Sequence, residues 1–298
     1  MPALEFYVTN VANNQAREYA RIQVSPVAGS LGAEIGSGDL RKLDAETFAE
    51  IKKAALDHLV LFFRDQPLSL DKFEAFARYF GAPGEDPFLE GLADLPHVAR
   101  VLKEADEKTP FVFGAAWHSD WSFREAPPPY TLLFGRDIPK YGRDTLYSNL
   151  ELTYNWLPDE LKQQCDGLTV LHSAQRGYGP DAVHNELYEN VATVYNKEGL
   201  AVQEHPLVRT HPETGRKAIF ANPAYTVGIK NTPAEKSEPL LEQIYDVARN
   251  PVFTCRFRWT NGAVAIWDNR CTWHHPIADY HGARRELFRT TIAGDRPI

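Results

Sequence analysis

The chain has 298 residues and carries 32 basic against 40 acidic side chains, a formal net charge of −8. With 43% hydrophobic and 24% charged residues it is globular in composition, not disordered, and a chain of this size buries roughly 75% of its unfolded surface. The acidic balance argues against a phosphate-backbone binder, so no nucleic-acid partner is expected; three widely spaced cysteines, Cys165, Cys255 and Cys271, argue against a disulfide framework and for reduced thiols in the cytoplasm.

The start of the chain shows neither a basic stretch nor an apolar one, so no signal peptide is expected. Asp44 caps the first predicted helix, which runs to about His58 with Phe48, Ile51 and Ala55 on one face. The apolar run 59–63 is strand length and far too short to span a membrane. Ser69 caps a second helix carrying Phe73, Phe76 and Phe80 and stopped by Gly81. The Pro-, Gly- and acid-rich stretch 81–96 and the segment 103–113 read as irregular, and the region 81–113 is expected to form a lid-like insertion. A short helix is predicted at 158–165, with Pro158 in its first turn. Thr232-Pro233-Ala234-Glu235 has the form of a capping box, and Pro239 offers a competing start for the same helix. Strands are predicted at 59–63, 130–134, 168–172, 217–220, 253–259, 263–268 and 287–292; the 253–259 run alternates apolar and polar residues. Many short strands with few helices predict a mainly β sandwich or jelly roll, with the helices at one face or end. No repeat or long linker divides the chain, so one domain over 1–298 is expected.

The chemistry begins at Trp117-His118-Ser119-Asp120. A His and a carboxylate at i and i+2 face the same side of an extended strand, so both can reach one metal ion. His-x-Asp with a distant His forms a two-His, one-carboxylate triad that leaves positions open on a non-haem Fe(II). The run from Ala265 to Tyr280 supplies that candidate in His274 or His275. Arg285 and Arg289 follow, four residues apart and on one side of a regular strand. Guanidinium groups bind carboxylates in bidentate fashion, which points to a carboxylate co-substrate beside the metal.

These pieces, in this order, resemble the taurine dioxygenase (TauD/TfdA) family of Fe(II)/2-oxoglutarate-dependent dioxygenases. The resemblance extends from Leu31-Gly32-Ala33-Glu34-Ile35 and Leu61-Phe62-Phe63-Arg64-Asp65-Gln66, through the His118 motif, Asp144-Thr145-Leu146 and His205–His211, to Trp267-Asp268-Asn269-Arg270 and Arg285/Arg289. It implies a double-stranded β-helix and His118, Asp120 and His274 as iron ligands. His274 is matched because it stands six residues after Asp268, and His275 would face the other way on a strand. It implies that Thr145 and Arg285 hold the distal carboxylate of 2-oxoglutarate, and that Arg289 lies near its C1 carboxylate and the anionic end of the substrate. The reaction implied is hydroxylation of a C–H bond of a small anionic organic compound with Fe(II), 2-oxoglutarate and O2, giving succinate and CO2. The substrate classes are a sulfonate, a sulfate ester or an aryloxy or hydrophobic carboxylate, with cleavage where the carbon bears a heteroatom. Desaturation, epimerisation and cyclisation are alternatives with the same ligands, and a non-catalytic metal-binding sensor is an alternative of another class. The resemblance also implies a homo-oligomer, a dimer or tetramer.

Departures from the family pattern cluster where the substrate would bind. Trp121 replaces a small aliphatic residue, Gly114 an amide, and Pro83-Gly84-Glu85-Asp86-Pro87 a loop that carries a taurine-contacting His. Loss of polar recognition costs orders of magnitude in specificity, so taurine is a poor expected substrate. Trp121, Tyr178 and Tyr225 are expected to form an aromatic wall opposite Arg289, a site suited to an organic acid with an aromatic or bulky body. Arg143 stands where the family has a second glycine before Asp144-Thr145, which puts the loop geometry there in question. His172, His205, His211 and His281 read as structural or surface residues, while His58, His97 and His184 carry no functional pattern.

Overall fold

The computed structural model describes residues 14–15, 17–36, 38–108, 113–179, 197 and 200–298; His184 lies outside them. Its main sheet has eight strands in the order Val24–Pro26, Ala33–Ile35, Val60–Phe63, Val264–Asp268, Tyr130–Asp137, Arg285–Thr291, Leu95–Lys103 and Gly91–Leu92. Alternation along the strands sorts side chains to two faces. Val60, Phe62, Ala265, Trp267 and Leu287 enter one core. Leu61, Phe63, Val264, Ile266 and Phe288 enter a second. Both faces are covered, which is why the Val60–Phe63 strand is apolar throughout.

The first core is closed by a second layer. It contains the three-stranded sheet Thr254–Phe257, Thr145–Asn149 and Thr272–Pro276, and another of Thr226–Ile229, Thr169–His172 and Gln203–Pro206. Phe62 of the main sheet stacks on Phe257 of the second layer, with ring centroids 4.0 Å apart. Facing antiparallel layers around one core make the jelly roll that the strand pattern predicts. The outer face of the main sheet is packed by Ile51, Ala54 and Ala55 of helix Ala45–His58 and by Phe73 and Phe76 of helix Leu70–Ala77.

The first helix is capped as expected: Asp44 Oδ1 accepts from the Thr47 amide at 2.7 Å. After the second, Gly81 stops the chain's helical path at φ +149°, where a Cβ would meet the Ile292 side chain at 2.8 Å. The late helix, Ala234–Ala248, starts directly after Pro233. Thr232 is therefore not its cap, and Pro239 lies inside the helix. Buried Leu241, Ile244, Tyr245 and Ala248 form one apolar stripe, and its packing outweighs the amide that Pro239 lacks. Within 81–113, Leu95–Lys103 is a strand paired with Arg285–Thr291. Its periodicity is masked by Pro96, Arg100 and Lys103; Arg100 pairs across the strands with Glu286 at 2.6 Å. Helix Leu150–Trp156 was likewise unmarked in the sequence; Asn149 caps it, accepting from the Leu152 amide at 2.9 Å.

Candidate active site

His118 and His274 meet as an antiparallel bridge, each amide donating to the other's carbonyl at 3.1 and 2.8 Å. That register sets the two rings 4.1 Å apart, centroid to centroid. Asp120 Oδ1 lies 3.5 Å from His118 Nε2 and 3.9 Å from His274 Nε2. One ligand atom from each of the three side chains falls within 4.8 Å of the others, and all three residues are buried. His118 Nδ1 is 2.6 Å from the Ala116 carbonyl, so Nδ1 carries the proton and the Nε2 lone pair faces the cluster. Burial alone would raise the Asp120 carboxyl; the Arg289 guanidinium against it, foremost, holds it well below its usual range. Burial, followed by His118, keeps His274 neutral. Two imidazoles and one carboxylate are the donor set that suits a divalent iron. His275 turns the other way and stacks on Trp117, with centroids 5.4 Å apart.

Asn269, part of the Trp267–Arg270 run that carries the family resemblance, supports this cluster. Its Oδ1 accepts from the Asp120 amide at 3.1 Å and from Trp267 Nε1 at 2.9 Å. Its Nδ2 donates to Thr131 Oγ1 at 2.8 Å, and Thr131 in turn donates to Asp120 Oδ2 at 2.7 Å. Directly after Asp120, Trp121 adopts φ +45°, a left-handed conformation costly for a bulky residue. Gly114 also has positive φ, and a Cβ there would come within 3.1 Å of the His118 ring.

Arg285 and Arg289 are both buried on one strand. Arg285 lies 5.4 Å from the Tyr280 ring and 6.0 Å from that of Trp259, measured from Cζ to the centroids. Trp259 Nε1 donates to Thr145 Oγ1 at 2.9 Å, so the indole links Thr145 to Arg285. Arg285 Nε is buried without a hydrogen-bond partner, a donor left over for an anion. Arg143 adopts φ +77°, the backbone a glycine would supply. Its amide donates to Asp279 Oδ1 at 2.6 Å and its Nη2 to the Trp259 carbonyl at 2.8 Å. These bonds hold the loop despite the Cβ, and the Arg143 carbonyl accepts from Arg285 Nη2 at 3.4 Å.

Arg289 Nη1 donates to Asp120 Oδ1 at 2.9 Å, and its Cζ lies 4.9 Å from the Trp121 ring centroid. Trp121, Phe123 and Tyr225 belong to a small aromatic core with Phe88, against which Tyr178 packs. Tyr225 meets the His118 ring edge-on at 5.8 Å, and Tyr178 stacks on Phe88 at 4.3 Å. The three predicted aromatics thus lie together beside the His/Asp cluster, packed on one another. Of the other histidines, His172 bonds Ser122 Oγ at 3.0 Å and His205 bonds the Arg124 carbonyl at 2.9 Å. Burial first, then His205, lowers His172 to about 3, so it is neutral. His281 is exposed.

Comparison with known proteins completes the picture. The model of the "Taurine catabolism dioxygenase TauD, TfdA family" matches residues 23–291. An alkylsulfatase of Acinetobacter baylyi is 34% identical over 92% of this chain and 86% of its own length. A 2,4-dichlorophenoxyacetate dioxygenase of Cupriavidus pinatubonensis, named as α-ketoglutarate-dependent, is 32% identical over 93% of this chain and 99% of its own. The crystal structure of a taurine dioxygenase from Burkholderia xenovorans superposes with a TM-score of 0.79 at 35% identity, covering 94% of this chain and 91% of that one. Fold and relatives together define a 2-oxoglutarate-dependent dioxygenase, an oxidoreductase that uses Fe(II), 2-oxoglutarate and O2. The chain belongs to the TauD/TfdA family. These findings fit oxygenation and not a non-catalytic sensor, nor a desaturase, epimerase or cyclase. Among the described residues no helix is long and apolar enough to cross a membrane.

Proposed function

We propose that this enzyme hydroxylates a C–H bond of a sulfonate, a sulfate ester or an aryloxy or hydrophobic carboxylate, with loss of the heteroatom group where the carbon bears one. The observation that carries the reading is the convergence of His118, Asp120 and His274 within 4.8 Å beside the buried arginine pair. In this reading His118, Asp120 and His274 hold Fe(II), which with 2-oxoglutarate and O2 supplies the oxidising chemistry and yields succinate and CO2. Arg285 binds the distal carboxylate of 2-oxoglutarate, with the Thr145 hydroxyl beside it and Trp259 keeping the two in register. Arg289 orients Asp120 and faces the C1 end of the co-substrate and the substrate's anionic group. Trp121, Tyr178 and Tyr225 pack against the substrate body and exclude water. The whole of 1–298 acts as one catalytic domain, and the irregular stretches within 81–113 serve as its lid. Three buried cysteines without a disulfide support a cytoplasmic setting, and the family resemblance supports a homo-oligomer.

Succinate release tests the reading, with Fe(II), 2-oxoglutarate and ascorbate present and taurine, longer alkanesulfonates, alkyl sulfates, aryloxyalkanoates and uncharged analogues of these compared against a no-substrate control. Stimulation by one anionic class is expected, with taurine weak. A response to uncharged analogues alone would overturn the anionic-substrate reading.

A further inference from the structure

The loop residue Asp86 makes contacts that none of the roles above uses. Its Oδ2 lies 3.3 Å from Arg289 Nε and accepts from Trp121 Nε1 at 3.2 Å. Its Oδ1 accepts from the Phe88 and Leu89 amides at 3.3 and 3.0 Å, which shapes the turn carrying Phe88 into the aromatic core. Arg289 therefore has two carboxylates against one guanidinium, Asp120 on Nη1 and Asp86 beside Nε. Asp120 also belongs to the His118/His274 cluster, so its charge is shared with whatever ion binds there. Asp86 touches neither histidine; its charge acts on Arg289 and, repulsively, on Asp120. Arg289 Nε and Nη2 are both buried without a hydrogen-bond partner, so Asp86 sets its charge beside Nε without bonding it, and both donors are left for a ligand. An anionic headgroup placed there enters the field of Asp86 a few ångströms away. A space that Gly84, Asp86, Leu89 and Arg289 help to line beside the pair is about 10 Å³, room for one water at most.

We propose that Asp86 is a specificity-determining residue: by occupying Arg289 it weakens the site for anionic headgroups and sets which of them are accepted. The proposal rests on the assignment of Arg289 to the substrate's anionic end. Burial raises the Asp86 carboxyl and Arg289 opposes that rise, as expected for an acid wedged between apolar rings and one cation. A headgroup that binds must offer Arg289 more than a single carboxylate oxygen does. A bidentate carboxylate or a sulfate meets that condition; a neutral amide does not.

Asp86→Asn keeps the oxygen that accepts from the Phe88 and Leu89 amides and removes the charge. Asp86→Ser is a second neutral residue able to hold the turn. Calorimetric titration of the wild type and both variants with phenoxyacetate, hexyl sulfate and phenoxyacetamide measures the effect. It is run on the metal-free protein and on the complex with Mn(II) and N-oxalylglycine, an unreactive analogue of 2-oxoglutarate. Removing the charge should tighten both anions about tenfold or more, the scale of one charge-assisted contact, and leave the amide unchanged. Equal changes for anions and amide, no change, weaker anion binding, or anions that bind no form would each overturn the proposal. Failure of N-oxalylglycine to bind would instead break the oxygenase assignment, and the metal-free comparison would still decide Asp86.

Discussion

Two buried three-residue clusters in this fold look alike on paper and are opposite in chemistry. His118, Asp120 and His274 form one; His211, Asp268 and Cys271 form the other. In the first, His118 donates through Nδ1 to a carbonyl and presents its Nε2 lone pair inward. In the second, His211 Nδ1 accepts from the Glu213 and Thr214 amides, both at 3.2 Å, so its proton sits on Nε2, 3.0 Å from Asp268 Oδ2. Asp120 Oδ1 accepts one bond, from Arg289 Nη1 at 2.9 Å, and lies 3.5 and 3.9 Å from the two histidine Nε2 atoms. Asp268 is saturated: Arg270 reaches Oδ1 through its amide at 2.9 Å and Nε at 2.8 Å, and Oδ2 through Nη2 at 2.5 Å. Burial pushes the Cys271 thiol well above its ordinary range, so no thiolate is offered there. Ligand-type residues at short distance are thus insufficient. What separates the clusters is which lone pairs the surroundings have already used.

The sharpest way to break this comparison is His274→Ala. Iron content should fall to background and succinate release by more than about a hundredfold, above the range for lost supporting partners. His275→Ala, on the ring turned to Trp117, should stay within about twofold, as for a substitution outside such a network. If His275→Ala lost the metal and His274→Ala kept it, the assignment of the cluster would be wrong.

Asp268→Asn should act on stability instead. It leaves Arg270 without its buried counter-charge, a loss of about 3–5 kcal/mol, read as a lower denaturant midpoint. The folded fraction should still bind one iron. Loss of iron at unchanged stability would make the second cluster a metal site and erase the distinction.

Asn269→Ala probes the link between the two. Asn269 alone of the Asp268-Asn269-Arg270 run bonds the Asp120 side, so its loss should weaken metal affinity by about 10–100-fold. The stability cost should be smaller than that of Asp268→Asn. A titration with Co(II) or Mn(II) measures the affinity; an unchanged value would confine Asn269 to packing.

Much of the site was legible because its elements are local. His118 and Asp120 stand two apart on an extended chain, and Arg285 and Arg289 four apart on a strand, so each pair shares a side whatever the fold does. The same holds for the capping of Ala45–His58 by Asp44 and for the stop at Gly81. Leu95–Lys103 escaped notice because cross-strand pairing of its charges, Arg100 with Glu286, is visible only once the partner strand is known. The partners of Asn269 were not legible, because an amide in a turn looks the same whether it ends a hairpin or bonds a distant backbone.

By itself, then, the sequence determined the alternation that sorts side chains to the two faces of its strands, the paired residues His118/Asp120 and Arg285/Arg289, and the family to which they belong. It also favoured His274 over His275, and the tertiary structure brings His274 to the cluster through the bridge to His118. Only the tertiary structure decided that Arg143 holds a glycine-like turn by bonding Asp279 and Trp259, and that Asp86 comes to rest against Arg289. The physical reason is common to all three. Periodicity fixes which side of its own element a residue faces, whereas a hydrogen bond or charge pair between elements depends on a register set by the packing of the whole core.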